Sequence, residues 1–218
     1  MFESSSLSQA WSWLFAALIC LGLLLKLWLA SRQIRHVARH RGQVPAPFAS
    51  RISLAAHHKA ADYTIAKLRL GVLEMALGTA VLVGWTLLGG LNALNQVLLT
   101  WLAGGMVQQL SLLVSFALIG GLLELPLSMY HTFVLEQRFG FNQMGWRLWV
   151  ADLLKYTLVG LVLGLPMAAL VLWLMAAAGA LWWLWAWGAW VGLNLLLMVI
   201  FPTFIAPLFN RFQPLQDE

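Results

Sequence analysis

"AWSWLFAALICLGLLLKLWLA", Ala10 to Ala30, carries a single charge, Lys26, in a stretch long enough to cross a bilayer. A helix rises about 1.5 Å per residue, so a hydrocarbon core near 30 Å takes roughly 20 residues. Four more apolar runs follow, near Leu70–Leu91, Val97–Leu127, Ala151–Ala177 and Leu181–Phe201. The runs are continuous rather than alternating, which argues for helices and against a strand barrel. Composition agrees. Of 218 residues, 61% are hydrophobic and 10% charged, and the mean hydropathy is +0.81. Soluble domains lie nearer one-half apolar and one-quarter charged. The fold expected is therefore all-α: a polytopic transmembrane helix bundle of about five spans. The third run is overlong and is expected to tilt, or to break at Gly120-Gly121 or at Pro126.

The basic residues supply an orientation. Arg32, Arg35, Arg39, Arg41, Arg51, Lys59, Lys67 and Arg69 lie between the first and second spans, out of thirteen Lys and Arg in all. Neither the connection between spans two and three nor that between four and five holds any. The positive-inside rule makes the basic loop, residues 31–69, cytoplasmic. The N-terminus is then outside, and the C-terminus and the connection carrying Glu136 to Arg147 are cytoplasmic. This placement explains the net charge of +5 without nucleic acid. The N-terminus lacks a basic n-region and a clear cleavage site, so the first span reads as a retained anchor. Short loops suggest a bacterial inner membrane, with an endoplasmic reticulum membrane as the alternative. Membrane lipids are the first partner implied.

Within the basic segment, "SRQIRHVARHRG" reads as a continuation of the first helix, stopping at Gly42 and "VPAP". "RISLAAHHKAADYTIAKLRL" reads as a second helix, with Arg51, His58, Asp62 and Arg69 as one polar stripe lying on anionic headgroups. His36 and His40 have the i, i+4 spacing of a helical metal pair. Position 37 is Val, so the glutamate of HExxH is missing, and the neighbouring arginines would repel a dication. The pair reads as surface helix.

Charges within or beside spans are costly and by default imply a partner. Lys26 can snorkel to the interface. Glu74 lies only a turn or so beyond Arg69. Asp152 and Lys155 can pair at i, i+3. Glu124, between "SFALIGGLL" and Pro126, should face a protein interior or water. The Gly pairs at 89-90, 104-105 and 120-121 read as close helix packing or turns. "WWLWAWGAW" reads as an interfacial belt at the outer end of the fifth span. Cys20 is the one cysteine, so no intrachain disulfide forms. There is no phosphate-binding Gly loop, GxSxG elbow or CxxC pair.

"LPLSMYHTFVLEQRFGFNQ", Leu125 to Gln143, concentrates scarce polar groups in His131, Glu136, Arg138 and Asn142. It resembles the segment of type I CAAX prenyl proteases that reads roughly LP-x-S-x-Y-x-TFVIE-x-x-x-GFN. "IAPLFNRFQPL", Ile205 to Leu215, resembles the family's IAPLFNKFTPL and includes the motif-tail residues Pro207 and Asn210. "VPAPF" with "HHKAADYTIAKLRL" is a third match. The resemblance implies an integral membrane zinc metalloprotease of the gluzincin type, its helices surrounding a water-filled chamber. Substrates would be peptides or membrane proteins. Zinc in that family is held by the two His of HExxH and a downstream Glu.

This sequence contains no HExxH, which in the family follows the segment matching Ile205 to Leu215. The resemblance therefore makes residues 1–218 the N-terminal transmembrane domain of such an enzyme. On this reading the chain itself supplies no catalytic residue and no metal ligand. Zinc is expected only in the complete enzyme, and the catalytic domain is a partner in cis or in trans. Glu124, His131, Glu136 and Asn142 are then candidates for lining the chamber or docking that domain.

Two other readings stand beside it. One is a non-catalytic membrane scaffold or regulator derived from the same family. The other is a transporter, which the intramembrane charges suggest but which lacks paired interrupted repeats. The orientation is testable in a Cys20→Ser background. In intact cells Asn92→Cys should react with an impermeant maleimide applied outside, and Gln43→Cys should not.

Overall fold

The computed structural model describes residues 2–209, and among them every regular element is helical. α1 runs Phe2–His40, α2 Leu54–Thr86, α3 Gly90–Trp101 and α4 Gly105–Tyr130. A π-helical stretch, π1, covers His131–Glu136 and passes into a short α5, Gln137–Phe139. α6 spans Trp146–Ala177 and α7 Trp182–Ile200. A second π-helical stretch, π2, covers Phe201–Ile205 before α8, Ala206–Phe209. Five segments are long and apolar enough to cross a membrane: Leu7–His40, Leu54–Thr86, Gly105–Phe139, Trp146–Ala177 and Gly179–Ile205. The chain is an integral membrane helix protein, as its composition dictates. Few side chains are buried, and leucines point outward along every span. Lipid is as apolar as leucine, so the outward face needs no polar cover.

The chain divides into two compact units. The first comprises Met1–Val97 and Phe116–Gln143. α1 has 39 residues, about 58 Å of helix, so it projects well past the hydrocarbon, as the Arg-rich continuation suggests. It packs along α2. At their basic ends, Arg41 Nη2 lies 2.7 Å from Asp62 Oδ2, and His57 Nε2 donates to the His40 carbonyl at 3.0 Å. The second bond satisfies one of the carbonyls that a helix C-terminus leaves free. α2 begins at an N-cap, where Ser53 Oγ accepts from the Ala56 amide at 3.2 Å.

Most of residues 31–69, the connection between the first two apolar runs, is helix. The second basic helix is also not a separate element. Residues 54–69 run without a break into the second span, because no Gly or Pro interrupts "HHKAADYTIAKLRLGVLEM" before Gly71, and an interior Gly is tolerated.

The second unit comprises Leu98–Ser115 and Met144–Glu218. α6 and α7 pack as an antiparallel hairpin through a 3₁₀ turn at Gly179–Leu181, where Gly179 takes φ 59°. Asp152 and Lys155 pair at 3.2 Å on α6. Trp183, Trp185, Trp187 and Trp190 of α7 are all exposed, as a membrane-interface belt requires.

The overlong third run breaks, but not where the sequence suggested. Gly104 and Gly105 take φ of 87° and 80° and split it into α3 and α4. Gly120, Gly121 and Pro126 all remain inside α4. Pro126 withholds the amide that would bond the Leu122 carbonyl, a defect that membrane helices tolerate. The winding changes instead five residues later, at π1.

The glycine pairs thus divide by role. Gly89, Gly104 and Gly105 have positive φ and make turns. Gly90 is a close approach: a Cβ there would stand 2.7 Å from the Gly84 carbonyl oxygen and 3.2 Å from the Trp85 ring. Gly120 and Gly121 are neither turn nor close approach, because a Cβ on either meets no atom within 4 Å. Gly90→Ala should accordingly destabilise the protein by about 1–3 kcal/mol through overpacking. Gly78→Ala, where the space is also open, should be neutral or gain up to ~1 kcal/mol of helix propensity. Thermal melts in one detergent compare the two.

Candidate functional site

The site is built where α4 gives way to π1, within the first unit. In an α-helix, residues five apart point about 140° away from each other. The i→i+5 winding of π1 relieves this for its first and last residues. His131 Nδ1 comes within 3.7 Å of Glu136 Oε1, both side chains being half-buried. Leu135, one residue earlier, is buried, and π1 packs against α2.

Gly140 then ends the helix with φ 74°. Its amide donates to the Gln137 carbonyl at 3.1 Å, and the Phe141 amide donates to the Glu136 carbonyl at 3.0 Å. These two bonds form a Schellman cap, which a residue with a Cβ adopts only at a cost of about 1–2 kcal/mol. The cap aims Phe141 back at α2. Its ring meets Tyr63 edge-on with centroids 4.8 Å apart, and Phe139 meets the same tyrosine at 5.3 Å. Lys59 Nζ sits 5.4 Å from the Phe141 centroid. Edge-to-face pairs contribute about 0.5–1.5 kcal/mol each beyond the area they cover, so this cluster anchors the turn to α2.

A hollow of about 1040 Å³ opens between α2 and the C-terminal half of α4. Glu74, Glu124, Ser128 and His131 line one part of it, and Leu77, Val81, Trp85 and Phe116 another. A smaller hollow of about 500 Å³ is lined by Gln33 of α1, by Tyr63, Thr64, Lys67 and Glu74 of α2, and by His131. Glu74 and His131 border both, so the two adjoin there.

Of the residues singled out from the sequence, Glu124 and His131 share the larger hollow, and Glu136 reaches His131. Asn142 belongs to the turn, where its Nδ2 donates to Gln137 Oε1 at 3.0 Å. Pro207 lies on α8 in the other unit, and Asn210 falls outside the described residues. Glu74 is the residue that sequence reasoning passed over. Its signal is periodic: Lys67, Gly71, Glu74, Gly78, Leu82 and Trp85 follow steps of three and four along one face of α2, and all line a hollow. Tyr63 and Phe141 were missed as a pair because 78 residues separate them in the chain.

Among the described residues, no group of three His, Cys, Asp or Glu is arranged to hold a metal ion. The His36 and His40 rings lie side by side, tilted by 38° with centroids 4.3 Å apart, and His40 Nδ1 donates to the His36 carbonyl at 2.8 Å. The donor set of a catalytic zinc is thus not assembled among the described residues.

A family profile described as "CAAX prenyl protease N-terminal, five membrane helices" matches residues 33–211. The chain belongs to this family. Relatives include the CAAX prenyl protease 1 homologs of rice, Oryza sativa subsp. japonica, and of Caenorhabditis elegans. The first is 35% identical over 130 residues, covering 59% of this chain and 28% of the relative. The second is 29% identical over 209 residues, covering 94% and 46%. The crystal structure of S. mikatae Ste24p superposes with a TM-score of 0.84 at 25% identity, over 93% of this chain and 48% of that one. The chain thus spans about half or less of the length of these relatives.

In this family member the Gly140 cap holds the end of the candidate site. Gly140→Ala should loosen the turn by about 1 kcal/mol, roughly a fivefold loss of hydrogen-exchange protection at the Phe141 and Asn142 amides. Amides in α6 should be unaffected.

Proposed function

We propose that this chain is the membrane half of a zinc endopeptidase, forming part of the wall of a helical chamber around an active site that faces the cytoplasm. The catalytic residues and the zinc belong to an HExxH-bearing C-terminal part, joined in cis or supplied in trans. The observation that carries this reading is the likeness to Ste24p across nearly all of the chain and about half of that protein. The larger hollow supports it, because Glu74, Glu124 and His131 at span depth are tolerable only where they face water or polar partners. The rice and Caenorhabditis elegans relatives are, by name, CAAX prenyl protease homologs, and we extend to this chain a peptide substrate that reaches the site from the membrane. Residues 31–69 and the Gly140 turn lie on the cytoplasmic side in this proposal, where the catalytic part docks. Those relatives are eukaryotic, so they lend no support to a bacterial inner membrane, and the endoplasmic reticulum alternative stands beside it.

The test is to co-express this chain with an HExxH-bearing C-terminal part from the same genome, purify the pair and follow peptide cleavage. The pair should cleave and lose activity to a zinc chelator. Glu124→Ala and Asn142→Ala should each lower cleavage or co-purification by tenfold or more. Full activity of the HExxH part alone, or unchanged behaviour of both variants, would sink the proposal.

A further inference from the structure

The larger hollow has two ends of opposite chemistry. At one end stand two carboxylates on different helices, Glu74 of α2 and Glu124 of α4, with Ser128 and His131 beside them. At the other, Trp85 and Phe116 meet edge-on at 5.1 Å between aliphatic walls. No Lys or Arg lines this hollow. Among the described residues neither Glu74 nor Glu124 enters an ion pair, and both are exposed to the space they face. His131 is turned instead toward Glu136.

Gly78, Gly120 and Gly121 all border the hollow, and a Cβ on any of them meets no atom within 4 Å. About 1040 Å³ is at the upper end of the range in which small-molecule sites fall, roughly 300–1,000 Å³. From Glu74 to Trp85 along α2 is about 16 Å at ~1.5 Å per residue, the span of a medium-length alkyl chain.

The geometry points to a binding site for an amphipathic cation, of the class of long-chain primary amines. The ammonium group lies between Glu74 and Glu124, and the chain runs along the glycine floor to Trp85 and Phe116. Charge complementarity selects this occupant. A neutral alkyl chain would leave the two carboxylates to water alone, and an anionic one would add a third negative charge to them. An ammonium has three donors to share between two carboxylates and the Ser128 hydroxyl. The site uses residues of this chain alone. Its occupancy is independent of proteolysis, so failure of either proposal leaves the other standing.

The test uses the chain in phosphatidylcholine nanodiscs and radiolabelled dodecylamine as the probe. Binding should saturate near one site per chain and be competed by unlabelled dodecylamine, but not by dodecanol or dodecanoate. Glu74→Gln and Glu124→Gln should each weaken it by tenfold or more. Gly120→Leu should abolish it by filling the space. Gly22→Leu, at an equally open glycine away from the hollow, should leave it unchanged. Helicity and melting temperature of every variant establish that it is folded. Binding that does not saturate, equal competition by dodecanoate, or full retention in folded Gly120→Leu would each overturn the assignment.

Discussion

Inside hydrocarbon a main-chain amide has no water to fall back on, so every backbone bond in a span must close within the helix. The rest of this structure follows from that demand. It makes the chain all-helical and leaves the outward faces greasy. It also means that each departure from α-helix must be compensated locally. Where Pro126 removes an amide, the helix continues. Where the winding loosens to i→i+5, the segment packs on α2 and buries Leu135. Where the helix ends, Gly140 turns the amides of Phe141 and Gly140 back onto open carbonyls.

The same demand sorts the charged side chains. Those at the basic end of α1 and α2 can reach water and form ordinary pairs, such as Arg41 with Asp62. Lys155 finds Asp152 within its own helix. Glu74 and Glu124 have no such recourse and instead border a hollow. A bundle packed solid would have to place them against lipid or remove them. Keeping both carboxylates therefore goes with keeping the space between α2 and α4.

Much of this was legible in the residues. Ala10–Ala30 and its four counterparts announce helices through length and uninterrupted apolarity, and the motif from Leu125 to Gln143 marks the segment where the polar groups gather. The break in the third run was not legible, because Gly104-Gly105 and Gly120-Gly121 are the same dipeptide. Only the surrounding structure makes one pair a turn and the other a floor. π1 was hidden for a related reason: "HTFVLE" has nothing that forbids ordinary α winding. Glu74 was overlooked because its distance from Arg69 was counted along the chain, whereas its meaning lies in the face it shares with Gly71 and Gly78.

The π-helical stretch has a further consequence. Six residues are wound where an α-helix would need fewer to cover the same rise, so the segment carries surplus length as well as particular side chains. Losing one residue between His131 and Glu136 would let ordinary winding resume with little rotation downstream, because five α-wound residues turn about as far as six π-wound ones. The imidazole and the carboxylate would then stand four residues apart on an α-helix and still face each other, and Phe141 would keep its place against Tyr63. The stretch can therefore give up one residue at less cost to its surroundings than the α-wound segments on either side of it.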